Sequence, residues 1–259
     1  MLSVERVALG YGRHLILHDV TFSVEKGEMI GIIGPNGSGK STLLKGICRL
    51  LSPSQGRILL NGRDLEGMSR GEIARRIAVV PQAPHLPETF TAFEIVLMGR
   101  TPHLGRFRFE GYRDFEIAWK AMGITRTQPL AERTTDKLSG GQRQLLTIAR
   151  AIAQEPELIL LDEPTAHLDI NFQTEILDFI KGLCRESAVT AVAVLHDLNL
   201  AAQYCDRLIL LGRGTVHALG RANEVLTEEN IAEVYGARVH VYPHPVNGLP
   251  TVLISPQGR

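Results

Sequence analysis

The chain has 259 residues, 44% of them hydrophobic and 22% charged, which is ordinary globular usage and enough apolar material for one large domain or a core with an inserted subdomain. Lys plus Arg and Asp plus Glu both number 28, a formal net charge of zero, so bulk charge does not hold this chain to nucleic acid or anionic lipid.

In chain order, LSVERVALGYGRHLILHDVTFSV alternates apolar and polar residues between short turns and predicts antiparallel strands. MIGIIG (29–34) is a short apolar strand that runs into GPNGSGKS, and STLLKGICRLL follows at helical spacing. GRILLNGRDL predicts a hairpin with Asn61-Gly62 at its turn, and IAVVPQ another short strand. From Ala83 to about Glu155 the texture changes to helical patches (AFEIVLMGR, YRDFEIAWKAMG, GQRQLLTIARAIAQ) with no convincing strand. ELILLDEP and AVTAVAVLHD are apolar strands on either side of the helix QTEILDFIKGLCRE. Such strands between helices signal a parallel sheet buried on both faces. RLILLGRGTVHALG predicts a further hairpin, TEENIAEVYG a short helix, and HVYPHPVNGLPTVLI a strand pair around Asn247-Gly248.

GPNGSGKS fits the phosphate-loop pattern at Gly34, Gly39, Lys40 and Ser41, in the strand, loop, helix context that gives the pattern meaning. Glycines let backbone amides curl around a phosphate without obstruction. Lys40 is placed to neutralise β and γ oxygens and the Ser41 hydroxyl to hold magnesium, with Asn36, Gly37, Ser38, Gly39 and Thr42 completing the nucleotide-binding set. The fold expected is therefore α/β: a P-loop NTPase core with a mainly parallel sheet, an N-terminal antiparallel β subdomain and an inserted α-helical subdomain. Residues 1–82 and 156–220 are read as the catalytic core with its β subdomain, 83–155 as the helical insertion and 221–259 as a C-terminal extension.

Ligands of parallel sheets lie at the carboxyl ends of the strands. That rule brings Asp162 and Glu163, which end LILLDEP, beside the phosphate loop: Asp162 as a magnesium partner, Glu163 as a general base. Either carboxylate also suits a cap on the next turn. His196 and Gln82 end two other strands. The histidine is suited to the γ-phosphate, to orienting water or to a structural role, and the glutamine amide oxygen to magnesium or water. Tyr11, in GYGR, suits stacking on an adenine ring or a plain turn. KLSGGQRQLLTIAR (137–150) places Ser139 and two glycines before a helical run, a second anion-receiving helix start in a chain that already has one.

Taken in order and spacing, the phosphate loop, Gln82, LSGGQ, LILLDEP, AHLD (166–169) and His196 resemble the ATP-binding cassette transporter ATPases over residues 1 to about 220. The resemblance implies ATP and Mg²⁺ as cofactors, Tyr11 as the adenine-stacking aromatic, Glu163, His196 and Gln82 as catalytic residues, and Ser41, Gln82 and Asp162 at the magnesium site. It also implies that two copies pair head to tail. Ser139, Gly140, Gly141 and Gln142 of one copy would then face the γ-phosphate held by the other, with Asp169 in the dimer loop. The implied partners are a second copy, two transmembrane permease subunits and, indirectly, a substrate-binding protein, with no nucleic acid. The implied place is the cytoplasmic face of the inner membrane, as a peripheral subunit.

TAFEIVLMGRTPHLGRF (91–107), AHLDINFQ and the tail HVYPHPVNGLPTVLI look like the ATPases of importers for iron–siderophore complexes, haem, cobalamin and related metal chelates. Arg100, Arg106, Arg108 and Arg113 read as a solvated basic face, or as a face for an acidic permease loop. Pro243 separates His240 from His244 and no cysteine or carboxylate lies at ligand spacing, so direct metal binding is not expected there. Cys48, Cys184 and Cys205 form no CxxC pair and read as buried, reduced thiols of a cytosolic protein. The N-terminus, charged at Glu5 and Arg6, has no signal-type block, and no apolar run approaches the ~20 residues that span a bilayer. Two rivals are a non-transport cassette ATPase of the DNA-repair or translation type and a P-loop small-molecule phosphotransferase. The first usually carries a coiled-coil insertion, cysteine hook or second cassette, and the second leaves LSGGQ unexplained.

Overall fold

A computed structural model describes residues 1–105, 109–187 and 189–255. The chain divides into two units, Met1–Met68 with Thr190–Arg259, and Ser69–Val189. In the first, the N-terminal alternation becomes β1 (Leu2–Tyr11) and β2 (His14–Val24), paired antiparallel with Leu2 opposite Val24 and Tyr11 opposite His14. One face is core: Val4, Val7, Leu9, Leu17, Val20 and Val24 are fully buried. β3 (Met29–Ile33) is buried at every position, as a strand covered on both faces must be. The glycine loop leads into α1 (Lys40–Ile47), which ends sooner than the apolar spacing through Leu50 and Leu51 suggested. β4 (Gln55–Leu60) and β5 (Arg63–Asp64) form the hairpin expected at Asn61-Gly62, giving a sheet of order β2-β1-β4-β5.

The second unit opens with α2 (Arg70–Arg76), a helix too short to show a period. It is marked by a capping box in which Ser69 accepts from Glu72 N–H and Glu72 accepts from Ser69 N–H. β6 (Ile77–Val80) follows, then the helices of the expected patches: α3 (Ala92–Leu97), α4 (Tyr112–Ile124) and α5 (Gly140–Ala153). Ile95 and Val96 of α3, Ala118 and Met122 of α4 and Leu146 and Ala149 of α5 share one buried cluster. An isolated antiparallel bridge joins Thr91 to Thr134 within this otherwise helical stretch. β7 (Leu158–Asp162) runs parallel to β6, Ile77 opposite Leu158 and Val80 opposite Leu161, and α6 (Ile170–Ser187) follows with Ile176, Leu177 and Ile180 buried.

Arg100 corrects the expectation of a solvated basic face. It is 4% exposed, and its guanidinium donates to Asp114 Oδ1 at 2.9 Å, Glu155 Oε2 at 2.8 Å and the Ala153 carbonyl at 2.7 Å. Three acceptors around a planar fork make a buried arginine tolerable. Arg113 is exposed, and Arg106 and Arg108 lie outside the described residues.

The chain returns to the first unit with β8 (Thr190–Val194), α7 (Leu198–Tyr204), β9 (Arg207–Gly212) and β10 (Thr215–Gly220), then α8 (Ala222–Val225), α9 (Glu228–Tyr235) and the hairpin β11 (Val239–Pro243) and β12 (Pro250–Ile254). β3 lies between β8 and β9 and parallel to both, while β10 pairs antiparallel with β9. Cys184 and Cys205 are buried and Cys48 is partly buried. No described helix is long and apolar enough to cross a membrane.

Candidate nucleotide site

β3 and β8 end together, with Ile32 opposite Val194 and Leu195 N–H donating to the Ile32 carbonyl at 3.1 Å. Gly34 and His196 therefore leave the sheet along one edge. The chain turns sharply at Gly34, where φ is 147° and a Cβ would stand 2.3 Å from the Leu211 carbonyl oxygen, so only glycine fits. Lys40 folds back into the loop: its ammonium donates to the Gly34 carbonyl at 2.7 Å and the Pro35 carbonyl at 2.9 Å and is nearly buried. Ser38 is also buried, and its hydroxyl has no hydrogen-bond partner. A buried ammonium and an unpaired hydroxyl inside a ring of loop amides suit an anion with several oxygens. Asn36, Gly37 and Ser41 are exposed and Thr42 is buried at the start of α1.

Tyr11, at the end of β1, is 49% exposed, and Lys45 of α1 donates to its hydroxyl at 3.2 Å with the ammonium 5.6 Å from the ring centroid. The sequence reading missed Lys45. The signal was available, since Lys40 and Lys45 sit little more than one helical turn apart. His196 is exposed, and Asp197 after it caps α7 by accepting from Asn199 and Leu200 N–H.

In the second unit, the parallel register of β6 and β7 sends Gln82 and Asp162-Glu163 off one edge. Gln82 Nε2 donates to Glu163 Oε2 at 2.5 Å, so two of the predicted catalytic residues meet directly. Glu163 holds a left-handed backbone, φ 50°, a conformation a glutamate adopts only under constraint. Because the Gln82 amide nitrogen is committed to Glu163, its oxygen remains for another partner. Ser41 hydroxyl, Gln82 amide oxygen and Asp162 carboxylate are all hard oxygen donors, the type magnesium takes.

LSGGQ begins α5. Ser139 Oγ accepts from Gln142 N–H at 3.3 Å and Gln142 Oε1 accepts from Ser139 N–H at 3.1 Å, closing a capping box. Gly140 and Gly141 start the helix, where no carbonyl within α5 lies four residues back to receive their N–H groups. The two glycines differ. A Cβ on Gly141 would stand 2.6 Å from the Phe172 ring of α6, so that glycine serves close packing, whereas Gly140 faces open space. Asp169 accepts from Phe172 N–H at 3.0 Å and starts α6. Phe172 escaped sequence reading because nothing local ties it to Gly141.

Comparison with known proteins agrees with this geometry. The family model described as ABC transporter matches residues 17–166. The chain is 42% identical over 255 residues to the ferric enterobactin transport ATP-binding protein FepC of Escherichia coli (strain K12), covering 98% of this chain and 93% of that protein. A solved ABC transporter in an inward-facing conformation superposes with a TM-score of 0.87 at 30% identity, covering 99% of this chain and 98% of that one. The dimeric structure of MJ0796, a bacterial ABC transporter cassette, gives a TM-score of 0.75 at 30% identity over 86% of this chain and 99% of that one. With its phosphate loop, its LSGGQ helix start and its paired Gln82 and Glu163, the chain belongs to the ABC transporter family as a nucleotide-binding ATPase subunit.

Proposed function

We propose that this chain powers import of an iron–siderophore or related metal chelate, working as a homodimer beneath two permease subunits at the cytoplasmic face of the membrane. The cargo class is supported by the name of the relative, a ferric enterobactin transport protein, and the pairing by the dimeric cassette among the solved structures. Docking on a permease is supported by the face of α4, where Tyr112, Phe115 and Trp119 are exposed at helical spacing and Phe115 stacks on Phe93 at 5.9 Å between ring centroids. A non-transport ATPase or a small-molecule phosphotransferase accounts less well for that relative.

The observation that carries the catalytic reading is Glu163, which has a left-handed backbone at the end of β7 and a carboxylate that accepts from the Gln82 amide. ATP enters with its adenine on Tyr11 and its phosphates in the loop. There Lys40 exchanges the Gly34 and Pro35 carbonyls for β and γ oxygens, a gain because the new acceptors are charged. The Ser38 hydroxyl gains a phosphate acceptor at the same moment. Magnesium, held by Ser41, Gln82 and Asp162, would supply charge neutralisation at the phosphates. Glu163 accepts the proton of the attacking water, with its carboxylate aimed by Gln82, and His196 contacts the γ-phosphate. Ser139 and the Gly140 and Gly141 amides of a second copy receive that γ-phosphate at a helix start, with Gln142 beside them and Asp169 at the seam. ADP lacks the bridging group, so hydrolysis releases the pair.

Glu163→Gln tests this directly. The expected protein binds ATP as the unmodified chain does, loses turnover by about 10²-fold or more, and runs as a dimer on sizing with light scattering only when MgATP is present. A variant that hydrolyses ATP at the unmodified rate, or stays monomeric under those conditions, removes Glu163 from the role of base.

A further inference from the structure

The C-terminal hairpin of β11 and β12 is two strands wide, too small to stand alone, and side chains hold both of its edges. Val241 and Val252 face each other across it. Val241 N–H donates to Glu228 Oε1 of α9 at 3.1 Å. Val252 N–H donates to Asn199 Oδ1 of α7 at 2.8 Å, and Asn199 Nδ2 donates back to the Val252 carbonyl at 3.3 Å. An N–H only donates and a carbonyl only accepts, so these partners fix which way the Asn199 amide faces. Asn199 thus pairs with β12 as a further strand residue would. One turn along the same face of α7, Gln203 Oε1 accepts from Asn247 Nδ2 of the hairpin loop at 2.6 Å.

Asn199 stands three residues after His196. Its own N–H and that of Leu200 donate to Asp197 Oδ1 at 2.8 and 3.0 Å, and Ala201 N–H donates to the Asp197 carbonyl at 3.0 Å. Asp197 is therefore locked to the first turn of α7, and that turn is locked to β12. On the other side, the Ile32 carbonyl of β3 holds Leu195 N–H at 3.1 Å. His196 is strung between these two points and is exposed. The far end of α7 has its own anchor: Asp206 exchanges two bonds with the Met29 backbone, at 2.8 and 2.9 Å.

We infer that Asn199 is a positioning residue for ATP hydrolysis: its side-chain amide, paired with the β12 backbone, fixes the first turn of α7 and with it the place of His196 at the γ-phosphate. The inference rests on the reading of His196 given above. Contact with a transferring phosphoryl group depends on placement, and a shift of about 1 Å costs up to about 10²-fold in rate. No residue of the phosphate loop takes part in these bonds, so the effect belongs to turnover and not to ATP binding.

Asn199→Ala on the full chain removes both bonds to Val252. The expected kcat is about tenfold lower, with Kd and KM for ATP within about twofold of the unmodified chain. Gln203→Ala removes the other hairpin contact, at the end of α7 that Asp206 holds, and is expected to leave kcat within about twofold. Asn199→Asp guards against an alanine variant that fails to fold. It keeps an acceptor for Val252 N–H and sets a carboxylate in the first helical turn, where negative charge is favourable. It loses only the donor to the Val252 carbonyl, so its expected kcat is about threefold lower at unchanged KM. His196→Ala is the reference and is expected to be slower than either. The inference is overturned if kcat stays within about twofold of the unmodified chain in Asn199→Ala, or in Asn199→Asp where the alanine variant does not fold, while His196→Ala is slow. A rise in KM with kcat unchanged, or an equal loss of kcat in Gln203→Ala, overturns it as well. Full turnover in His196→Ala removes the parent reading, and the positioning role with it.

Discussion

Ser38 and Lys40 show how a binding site stores its affinity when nothing is bound. A buried hydroxyl without a partner costs about 1–3 kcal/mol relative to water, and Ser38 carries that cost inside the loop. Lys40 avoids the larger cost of an unpaired buried ammonium by borrowing two loop carbonyls. Ser38→Ala should therefore have effects of opposite sign. Without nucleotide the variant is expected to unfold at the same temperature or higher, by roughly 1 kcal/mol of relieved desolvation. With ATP, its affinity is expected to fall about three- to tenfold because a phosphate acceptor loses its donor. Thermal unfolding paired with nucleotide titration checks both signs. A variant that is less stable and binds ATP unchanged would mean the hydroxyl has a protein partner and no ligand.

Among the elements, the junction of α4 with the end of α5 depends on Arg100. Its guanidinium is 5% exposed beside a 17% exposed Asp114, so removing the cation strands a carboxylate with little water around it. Arg100→Met, similar in length, is expected to destabilise the protein by about 3 kcal/mol, near the value for breaking a buried pair, read as a fall in the denaturation midpoint. A change under about 0.5 kcal/mol would return Arg100 to the class of ordinary surface arginines. The pair also gives a pH signature. The Gly111 N–H and then the Arg100 guanidinium hold the Asp114 carboxyl below its usual range. That stabilisation is present above the unfolded carboxylate pKa of about 4 and is lost as pH falls through the lower folded value, so Arg100→Met should flatten the acid limb of the stability curve.

This junction also marks what sequence can reveal. The strands β3, β7 and β8 are legible because a segment buried on both faces has no polar side, and the hairpin turn because Asn61 and Gly62 both hold the positive φ that an Asn-Gly pair favours. Arg100 is illegible because its partners lie 14 and 55 residues away, and a list of arginines looks the same whether they face water or carboxylates. At the candidate site the motif residues stand out singly, but their contacts do not. The Gln82 to Glu163 bond exists because β6 and β7 are parallel neighbours 81 positions apart, and Phe172 behind Gly141 follows from helix packing alone.

At the scale of the whole molecule, the question is why a chain of zero net charge would pair only with ATP present. Charge balance leaves neither strong repulsion to overcome nor long-range attraction to hold two copies together, so the nucleotide must supply the difference. The proposed bridge is the α5 start, and its cap offers a way to separate structure from function. Ser139→Arg removes the cap and adds bulk, so a lost dimer in that variant has two explanations. Ser139→Asp keeps a good cap for Gln142 N–H, and aspartate at a helix start is as favourable as serine. It nevertheless sets a carboxylate against the γ-phosphate of the second copy. In a Glu163→Gln background with MgATP, Ser139→Asp is expected to unfold at the unmodified temperature and to bind ATP within about threefold as a monomer, since its own phosphate loop is untouched. It is expected to form no dimer by light scattering, because two like charges in a site of low dielectric cost several kcal/mol. Dimers that persist in this variant would mean that the γ-phosphate meets some other surface. A loss of folding would mean that Ser139 serves α5 and nothing beyond it.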